Sequence, residues 1–354
     1  MRVVPVVIPA YEPDGRLVKL IEELVGLYHD PIVVINDGSG LEYQGIFDTI
    51  QPIIKQHGGT IIEHDGNRGK GRALKTAFAY IITQYPESIG CVTADSDGQH
   101  STQCIMKVAE MLKNMPNSLI LGVRNFSAQN IPWKSRMGNQ ITEKVFAYIA
   151  GVHVTDTQTG LRGIPFDFMQ KLLDVQGERF EFEIQMLLES TGRYSIVETE
   201  IETIYDSVEN HQTHFNSVVD SAKIYSVLGK RFGKYIFSSF SSSIIDFVIF
   251  GIMCSMLRHD IDSYIAVSTV AARCISSIYN YLLNYKFVFI SHTDVKLSGI
   301  KYFALVIIQM ILSALLVTGA AVIMPVVPEV ALKMIVDTFL FFVSYKIQQR
   351  YVFR

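Results

Sequence analysis

Two aspartates separated by one residue, in Asp95-Ser96-Asp97-Gly98-Gln99-His100, follow directly on the short apolar run Cys91–Ala94. Carboxylates this close repel unless a cation joins them, and hard oxygen donors suit Mg2+ or Mn2+, ions that keep waters and bind phosphate oxygens as well. Gln99 adds a neutral oxygen to this set. Complementary chemistry lies upstream in Asp65-Gly66-Asn67-Arg68-Gly69-Lys70-Gly71, where Lys70 sits in a glycine-rich turn at the start of a helical stretch. Its charge and the backbone N–H groups there suit an anionic phosphate. Because Gly71 follows Lys70, G-x-x-x-x-G-K-[ST] is absent, and no G-x-G-x-x-G follows the first apolar run. Both a P-loop ATPase and a dinucleotide-binding dehydrogenase are disfavoured.

Such groups need a rigid frame, and the first ~125 residues supply one by alternating short β-branched runs with helical stretches. Val3–Ile8, Ile32–Asn36, Thr60–Glu63, Cys91–Ala94 and Leu119–Gly122 read as buried strands, with Gly15–Tyr28, Tyr43–His57, Lys70–Gln84 and Thr102–Asn114 as helices between them. This order predicts an α/β fold, a mostly parallel sheet flanked by helices, in which ligands sit at the carboxyl ends of strands. Those ends are polar: Pro9-Ala10-Tyr11-Glu12, Asn36-Asp37-Gly38-Ser39, the Lys70 loop and the Asp95 loop all converge on one edge. Each alone is ordinary turn chemistry; four in sheet order point to a ligand.

Composition divides the 354 residues in two. Hydrophobic residues make up 49% and charged residues 18%, with a mean hydropathy of +0.26. From Lys234 onward there are ten Lys/Arg against six Asp/Glu, whereas the preceding residues hold 21 against 28. An acidic, polar front half joins an apolar, basic back half, and the absence of a dense Lys/Arg run argues against nucleic acid as a partner. Cys91, Cys104, Cys254 and Cys274 lie far apart without C-x-x-C spacing and read as packing residues. The back half contains four apolar stretches, about 235–257, 264–289, 301–324 and 330–347. The first spans roughly 34 Å as a helix, enough to cross a ~30 Å hydrocarbon core. Lys230, Arg231 and Lys234, then Lys286, Lys296 and Lys301, then Lys346, Arg350 and Arg354 mark one side. By the positive-inside rule the front domain and both ends of the bundle are cytoplasmic. The end of the second stretch, Asn284-Tyr285-Lys286-Phe287-Val288-Phe289, is echoed at the end of the fourth by Gln348-Gln349-Arg350-Tyr351-Val352-Phe353. Two helical hairpins in the same topology would produce this echo; so would basic and aromatic anchors at helix ends.

The runs V-V-I-P-A-Y-E, N-D-G-S, G-N-R-G-K-G and D-S-D-G-Q-H together resemble family 2 glycosyltransferases of GT-A fold, specifically the dolichyl-phosphate mannose synthase and undecaprenyl-phosphate sugar transferase branch. The back half, with N-Y-L-L-N-Y-K-F-V-F, resembles the GtrA-like four-helix membrane module, and the combination resembles fused bacterial proteins of the inner membrane. The resemblance implies a glycosyltransferase domain over 1–219, an interfacial helix over 220–233 and the membrane module over 234–354. It assigns Pro9, Ala10, Tyr11, Glu12 and Asp37 to the base and ribose of a nucleotide sugar, with Lys70 and Ser96 in the same donor site. It further gives Asp95, Asp97 and Gln99 to a Mg2+ or Mn2+ on the diphosphate, and Arg124, Arg136 and Arg162 to the acceptor phosphate. Asn36 stands where many relatives have a second aspartate, which leaves the nucleobase open. The expected donor is a UDP-sugar, with a GDP-sugar as the alternative; the acceptor is a polyprenyl (undecaprenyl) phosphate, and a homo-oligomer is compatible with both.

A phosphate acceptor also makes chemical sense without the resemblance. A hydroxyl acceptor needs a general base, whereas a phosphate monoester, with a second pKa near ~6, is already largely dianionic at neutral pH. Arginines position it by bidentate contacts. Glu181 and Glu183, alternating with Phe180 and Phe182, read instead as the start of an amphipathic helix. The expected reaction is a single inverting displacement at the anomeric carbon. Asp246, Arg273 and Asp337 fall near mid-membrane, where ionisable groups face a partner or a polar path. Asp246 is expected to pair with Arg273, and Arg273, Asn280 and Asn284 to handle an anionic headgroup. A processive polysaccharide synthase would require Q-x-x-R-W, which the only tryptophan, Trp133, does not provide. Against a transporter whose front domain only binds nucleotide, the intact Asp95, Asp97 and Gln99 argue for chemistry.

Overall fold

β-branched and apolar residues that are buried on both faces form the central strands Val6–Ala10 (β1), Ile32–Asn36 (β2) and Gly90–Thr93 (β4). They belong to a computed structural model that describes residues 3–124, 133–202, 219–257, 264–289, 291, 293–324 and 326–353. Two units divide the chain, Met1–Val227 and Leu228–Arg354. In the first, Thr60–Glu63 (β3), Ser118–Arg124 (β5), Arg162–Pro165 (β6) and Ser195–Ile201 (β7) complete a sheet of order β3-β2-β1-β4-β6-β5-β7 among the described residues. Only β6 runs antiparallel to its neighbours. The five expected strands are present, the first beginning at Val6; β6 and β7 were not foreseen.

The chain leaves β1 on one side for β2 and β3 and returns on the other side as β4, so the β1/β4 edge is a topological switch point. Pro9 helps open it. Alternate residues of β1 face β4, where Ala94 N–H bonds the Val7 carbonyl, and the pairing with β4 stops at Val7. Pro9, two residues on, has no N–H to extend that ladder.

Helices cover both faces. In Gly15–Leu27 (α1) the buried Leu17, Leu20, Ile21 and Leu24 recur at helical spacing, and Asp14 caps its first turn. Gln44–Gln56 (α2), Lys70–Gln84 (α3), Thr102–Asn114 (α4), Trp133–Ala150 (α5), Phe166–Leu172 (α6) and Glu181–Ser190 (α7) follow.

Val219–Leu257 (α8) leads into the second unit, which begins at Leu228. Tyr264–Leu283 (α9), Val295–Ile323 (α10) and Glu329–Ile347 (α11) complete the helices. Segments 222–257 and 295–320 are long and apolar enough to cross a bilayer. Large apolar side chains such as Phe240, Phe247, Ile300 and Met310 are exposed on this unit. The two echoed sequences take the same shape: Asn284–Val288 and Gln348–Val352 are π-helical turns closing α9 and α11. Asn284 donates to Gln348 Oε1 at 2.9 Å, so the echoed positions also touch.

Candidate active site

Four loops meet beyond the β1/β4 edge around a cavity of about 470 Å3 lined by Pro9, Ala10, Tyr11, Asp37, Asn67, Gly69, Lys70, Ala73, Asp95, Ser96, Asp97, Arg179 and Phe180. All residues assigned to the donor from the sequence are there except Glu12. The backbone of Glu12, in the left-handed region at φ 48°, instead bonds Ser39 Oγ through its N–H at 2.9 Å and ties the first loop to the second.

Asp37 lines the cavity, but its carboxylate is committed to the third loop. Oδ1 accepts from His64 Nδ1 at 2.7 Å and Arg68 N–H at 3.0 Å, and Oδ2 from Gly69 N–H at 2.8 Å. His64 is oriented in turn by Thr76 Oγ1 at 2.9 Å from its Nε2. This scaffold sets Gly69 as the cap of α3. With φ +98° and the Glu178 carbonyl 2.4 Å from where a Cβ would stand, only glycine fits there. Lys70, the first residue of α3, is thereby delivered to the cavity at the positive end of the helix.

Lys70 Nζ lies 2.7 Å from Asp95 Oδ1 and 2.8 Å from Glu183 Oε1. Burial alone would favour its neutral amine, but Asp95 and Glu183 outweigh burial and raise its pKa. Burial likewise works against the Asp95 carboxylate, yet Lys70 and the His100 ring hold its pKa well below the ordinary range. His100 Nε2 is 3.6 Å from Asp95 Oδ2, and its buried ring nitrogens have no hydrogen-bond partner among the described residues. Asp97 moves the other way, its pKa raised by burial and by the Asp95 charge. Gly160 lies against this pair: a Cβ there would stand 2.3 Å from Asp95 Oδ2. Its carbonyl is fixed by Thr93 Oγ1 at 2.7 Å.

This donor set fits a divalent cation. Two hard carboxylates face one cavity, and the raised Asp97 pKa records a repulsion that such an ion relieves. No group of three or more His, Cys, Asp or Glu is placed to hold one metal ion among the described residues. The fit is therefore of the kind in which two carboxylates leave the remaining positions to water and phosphate. Gln99 does not line the cavity; its backbone N–H supports Asp97 Oδ1 at 3.0 Å.

The arginines expected on the acceptor phosphate stand differently. Arg162 is 1% exposed and donates to the carbonyls of Thr159 (2.8 Å), Glu183 (2.7 Å) and Thr157 (3.2 Å). It is a buried brace between β6 and α7, and its assignment to the phosphate is corrected: a guanidinium buried to 1% exposure and held by three backbone carbonyls and the Met186 sulfur presents no open face to the cavity. Arg124 grips the buried Asp156 through Nε (2.6 Å) and Nη2 (3.0 Å) and does not line the cavity. Arg136 lies on α5, with its side chain outside the described residues. The arginine that lines the cavity among the described residues is Arg179, which sequence reading missed. Its segment is tied to α3 by Arg72 N–H on the Glu178 carbonyl (3.0 Å) and by Arg72 and Lys75 on the Glu178 carboxylate (2.5 and 3.2 Å). These pairings span more than a hundred residues, and no local pattern announces them.

In the second unit Arg273 lies 3.5 Å from Asp246, the expected pairing, with 63% of its side chain exposed. Asn280 and Asn284 belong to a separate buried chain. Tyr302 O–H donates to Asn280 Oδ1 (2.7 Å), Asn280 to Ser238 Oγ (3.3 Å), and Asn284 to Asn280 Oδ1 (2.8 Å) and to Gln348. The structure thus joins the asparagines to one another and to Gln348, while Arg273 turns outward.

Residues 6–173 match the glycosyl transferase family 2, and residues 234–353 match the GtrA/DPMS transmembrane domain. The chain thus carries a family 2 glycosyl transferase domain followed by a GtrA/DPMS transmembrane domain. It is 25% identical over 249 residues to the UDP-N-acetylglucosamine–dolichyl-phosphate N-acetylglucosaminyltransferase of Methanococcus voltae, covering 66% of this chain and 98% of that one. An uncharacterized protein of Methanocaldococcus jannaschii is 28% identical over 224 residues, 62% of this chain and 88% of its own. Among solved structures, a mannosyltransferase of Pyrobaculum calidifontis in complex with GDP-Man and Mn2+ aligns over 99% of this chain and 88% of that one, at 12% identity and a TM-score of 0.41.

Proposed function

We propose that the protein transfers a hexose from a nucleoside diphosphate sugar, a UDP-sugar in the first instance, to the phosphate of a polyprenyl lipid. The observation that carries this reading is the cavity at the β1/β4 switch point, where Lys70 and the start of α3 face the Asp95–Asp97 pair. A lysine and helix N–H groups beside paired carboxylates that could hold a cation suit a diphosphate. The dolichyl-phosphate relative supports the acceptor.

Pro9, Ala10 and Tyr11 form the wall for the nucleoside, and Asp37 holds the loop that presents Lys70. A Mg2+ or Mn2+ bound by Asp95 and Asp97 would neutralise the diphosphate charge as the leaving group departs. Lys70 and Arg179 place positive charge along the same anion. The acceptor phosphate oxygen forms the new bond to the anomeric carbon from the face opposite the diphosphate. The glycosidic C–O bond breaks, its electron pair leaves on the nucleoside diphosphate, and the configuration inverts. No side chain has to remove a proton, because the nucleophile is already anionic; Glu183, bound to Lys70, is not called on as a base. Arg124, fixed by Asp156 at the end of β5, and Arg136 on α5 are assigned to the acceptor side.

The four helices of the second unit are proposed to span the bacterial inner membrane, with the catalytic domain and both termini cytoplasmic and 220–233 at the interface. They hold the enzyme at its lipid substrate. Purified protein incubated with a panel of UDP- and GDP-sugars, undecaprenyl or dolichyl phosphate and Mn2+ is expected to yield a polyprenyl-phosphate hexose by mass analysis. Transfer only to water-soluble alcohols, or full activity of Asp97→Ala, would refute the proposal.

A further inference from the structure

Lys70 holds one ammonium between two buried carboxylates from distant parts of the fold. Asp95 arrives from the loop after β4, and Glu183 from the first turn of α7. Glu183 is 6% exposed, and its backbone is held by contacts other than Lys70. Its backbone carbonyl accepts from the buried Arg162, and the stretch before it is anchored to α3 through Glu178. A carboxylate fixed in a dry wall is costly unless a cation answers it. The geometry gives the one ammonium two carboxylate partners, only one of which belongs to the Asp95–Asp97 pair.

The Lys70 ammonium on Asp95 Oδ1 opposes a divalent cation on the same carboxylate, because the two positive charges repel. When a cation draws on Asp95, the hold of that carboxylate on the ammonium weakens, and in a cavity wall an ammonium without a counter-charge is strongly disfavoured. At 2.8 Å, Glu183 retains it through that exchange. Anchored there, Lys70 has N–H bonds to turn toward an anion in the cavity it already lines. We propose that Glu183 is a positioning residue that holds Lys70 for exchange between Asp95 and the donor diphosphate, and so sets the affinity of the Asp95–Asp97 pair for a divalent cation. The inference rests on the donor-site reading given above.

The test is Mn2+ binding to the full-length chain in detergent, followed by paramagnetic resonance of the free ion, with no turnover required. Glu183→Gln keeps the shape and removes the charge, so Lys70 rests wholly on Asp95; the Mn2+ dissociation constant is expected to rise about tenfold, the scale of coupled neighbouring charges. Lys70→Met releases Asp95, and the constant is expected to fall below that of wild type. In the Lys70→Met background, Glu183→Gln is expected to have an effect at least about threefold smaller, because its partner is gone. A Glu183→Gln constant equal to wild type, or an equal shift with and without Lys70, overturns the inference while leaving the donor site standing. Wild-type protein that binds no Mn2+, with or without UDP, overturns the donor-site reading and this inference together. Melting curves without metal identify a variant that fails to fold, in which case Lys70→Met alone decides: binding no tighter than wild type overturns the proposal.

Discussion

Asp37→Asn separates a residue that grips the ligand from one that builds the loop. The carboxylate receives three hydrogen bonds, two on Oδ1 and one on Oδ2, at 2.7 to 3.0 Å inside the protein. An amide of the same shape can keep its oxygen toward His64 and Arg68, but its NH2 group then faces the Gly69 N–H, donor against donor. Losing one bond to a charged acceptor and leaving a buried donor unanswered costs about 2–3 kcal/mol. If that energy is confined to the loop, it raises amide exchange at Arg68 and Gly69 by roughly 30- to 150-fold. If it is shared by the whole unit, the melting temperature falls by about 5–10 °C. Both effects are expected with no donor present. Hydrogen exchange read by mass spectrometry over 64–72, with a melting curve alongside, measures them. Wild-type protection and stability in Asp37→Asn, with only donor binding weakened, would refute the scaffold role and return Asp37 to direct contact with the nucleoside.

Gly160→Ala places a methyl group onto Asp95 Oδ2; at least about a tenfold loss of transfer is expected, with the fold retained by circular dichroism. Because burial and Asp95 raise the Asp97 pKa, a proton competes with the cation there at a higher pH than for an ordinary carboxylate. Mn2+ affinity should therefore begin to fall, as pH drops, earlier than an ordinary carboxylate pair would make it, and an Asp97→Asn variant should lack that early fall. Arg162→Met leaves three backbone carbonyls without their buried donor. It is expected to destabilise the first unit by about 3 kcal/mol or more in urea titration, without a selective rise in the acceptor KM. Arg179→Ala is expected to raise the donor KM severalfold while the melting temperature stays within about 2 °C, because its side chain is exposed.

Local chemistry made the strands and the four polar loops legible before any coordinates. β-branched runs buried on both faces leave little alternative to a parallel sheet, and the residues just past Ala10, Asn36, Glu63 and Ala94 then have to meet. Arg162, Arg124 and Glu183 were the places where that reasoning ran out. An arginine in a motif looks the same in sequence whether it faces a phosphate or three carbonyls, and the difference lies in burial. β6 was invisible for a related reason: Arg162-Gly163-Ile164-Pro165 has no strand pattern of its own and exists because β4 and β5 pair with it. The echo at 284 and 348 was visible as a likeness, but not as a contact, since helical spacing does not say which buried amides meet.

The sequence by itself determined the class of chemistry, through a carboxylate pair after a buried strand, a lysine in a glycine turn, and the split between a polar half and an apolar half. Those are properties of residue type and short-range spacing. Tertiary structure alone decided which charges answer one another: Lys70 between Asp95 and Glu183, Asp37 beneath the glycine loop, Arg162 inside the wall and Arg179 at its surface. The physical reason is that the energy of a charge depends on its depth and on its nearest partners, and both are fixed by segments far apart in the chain.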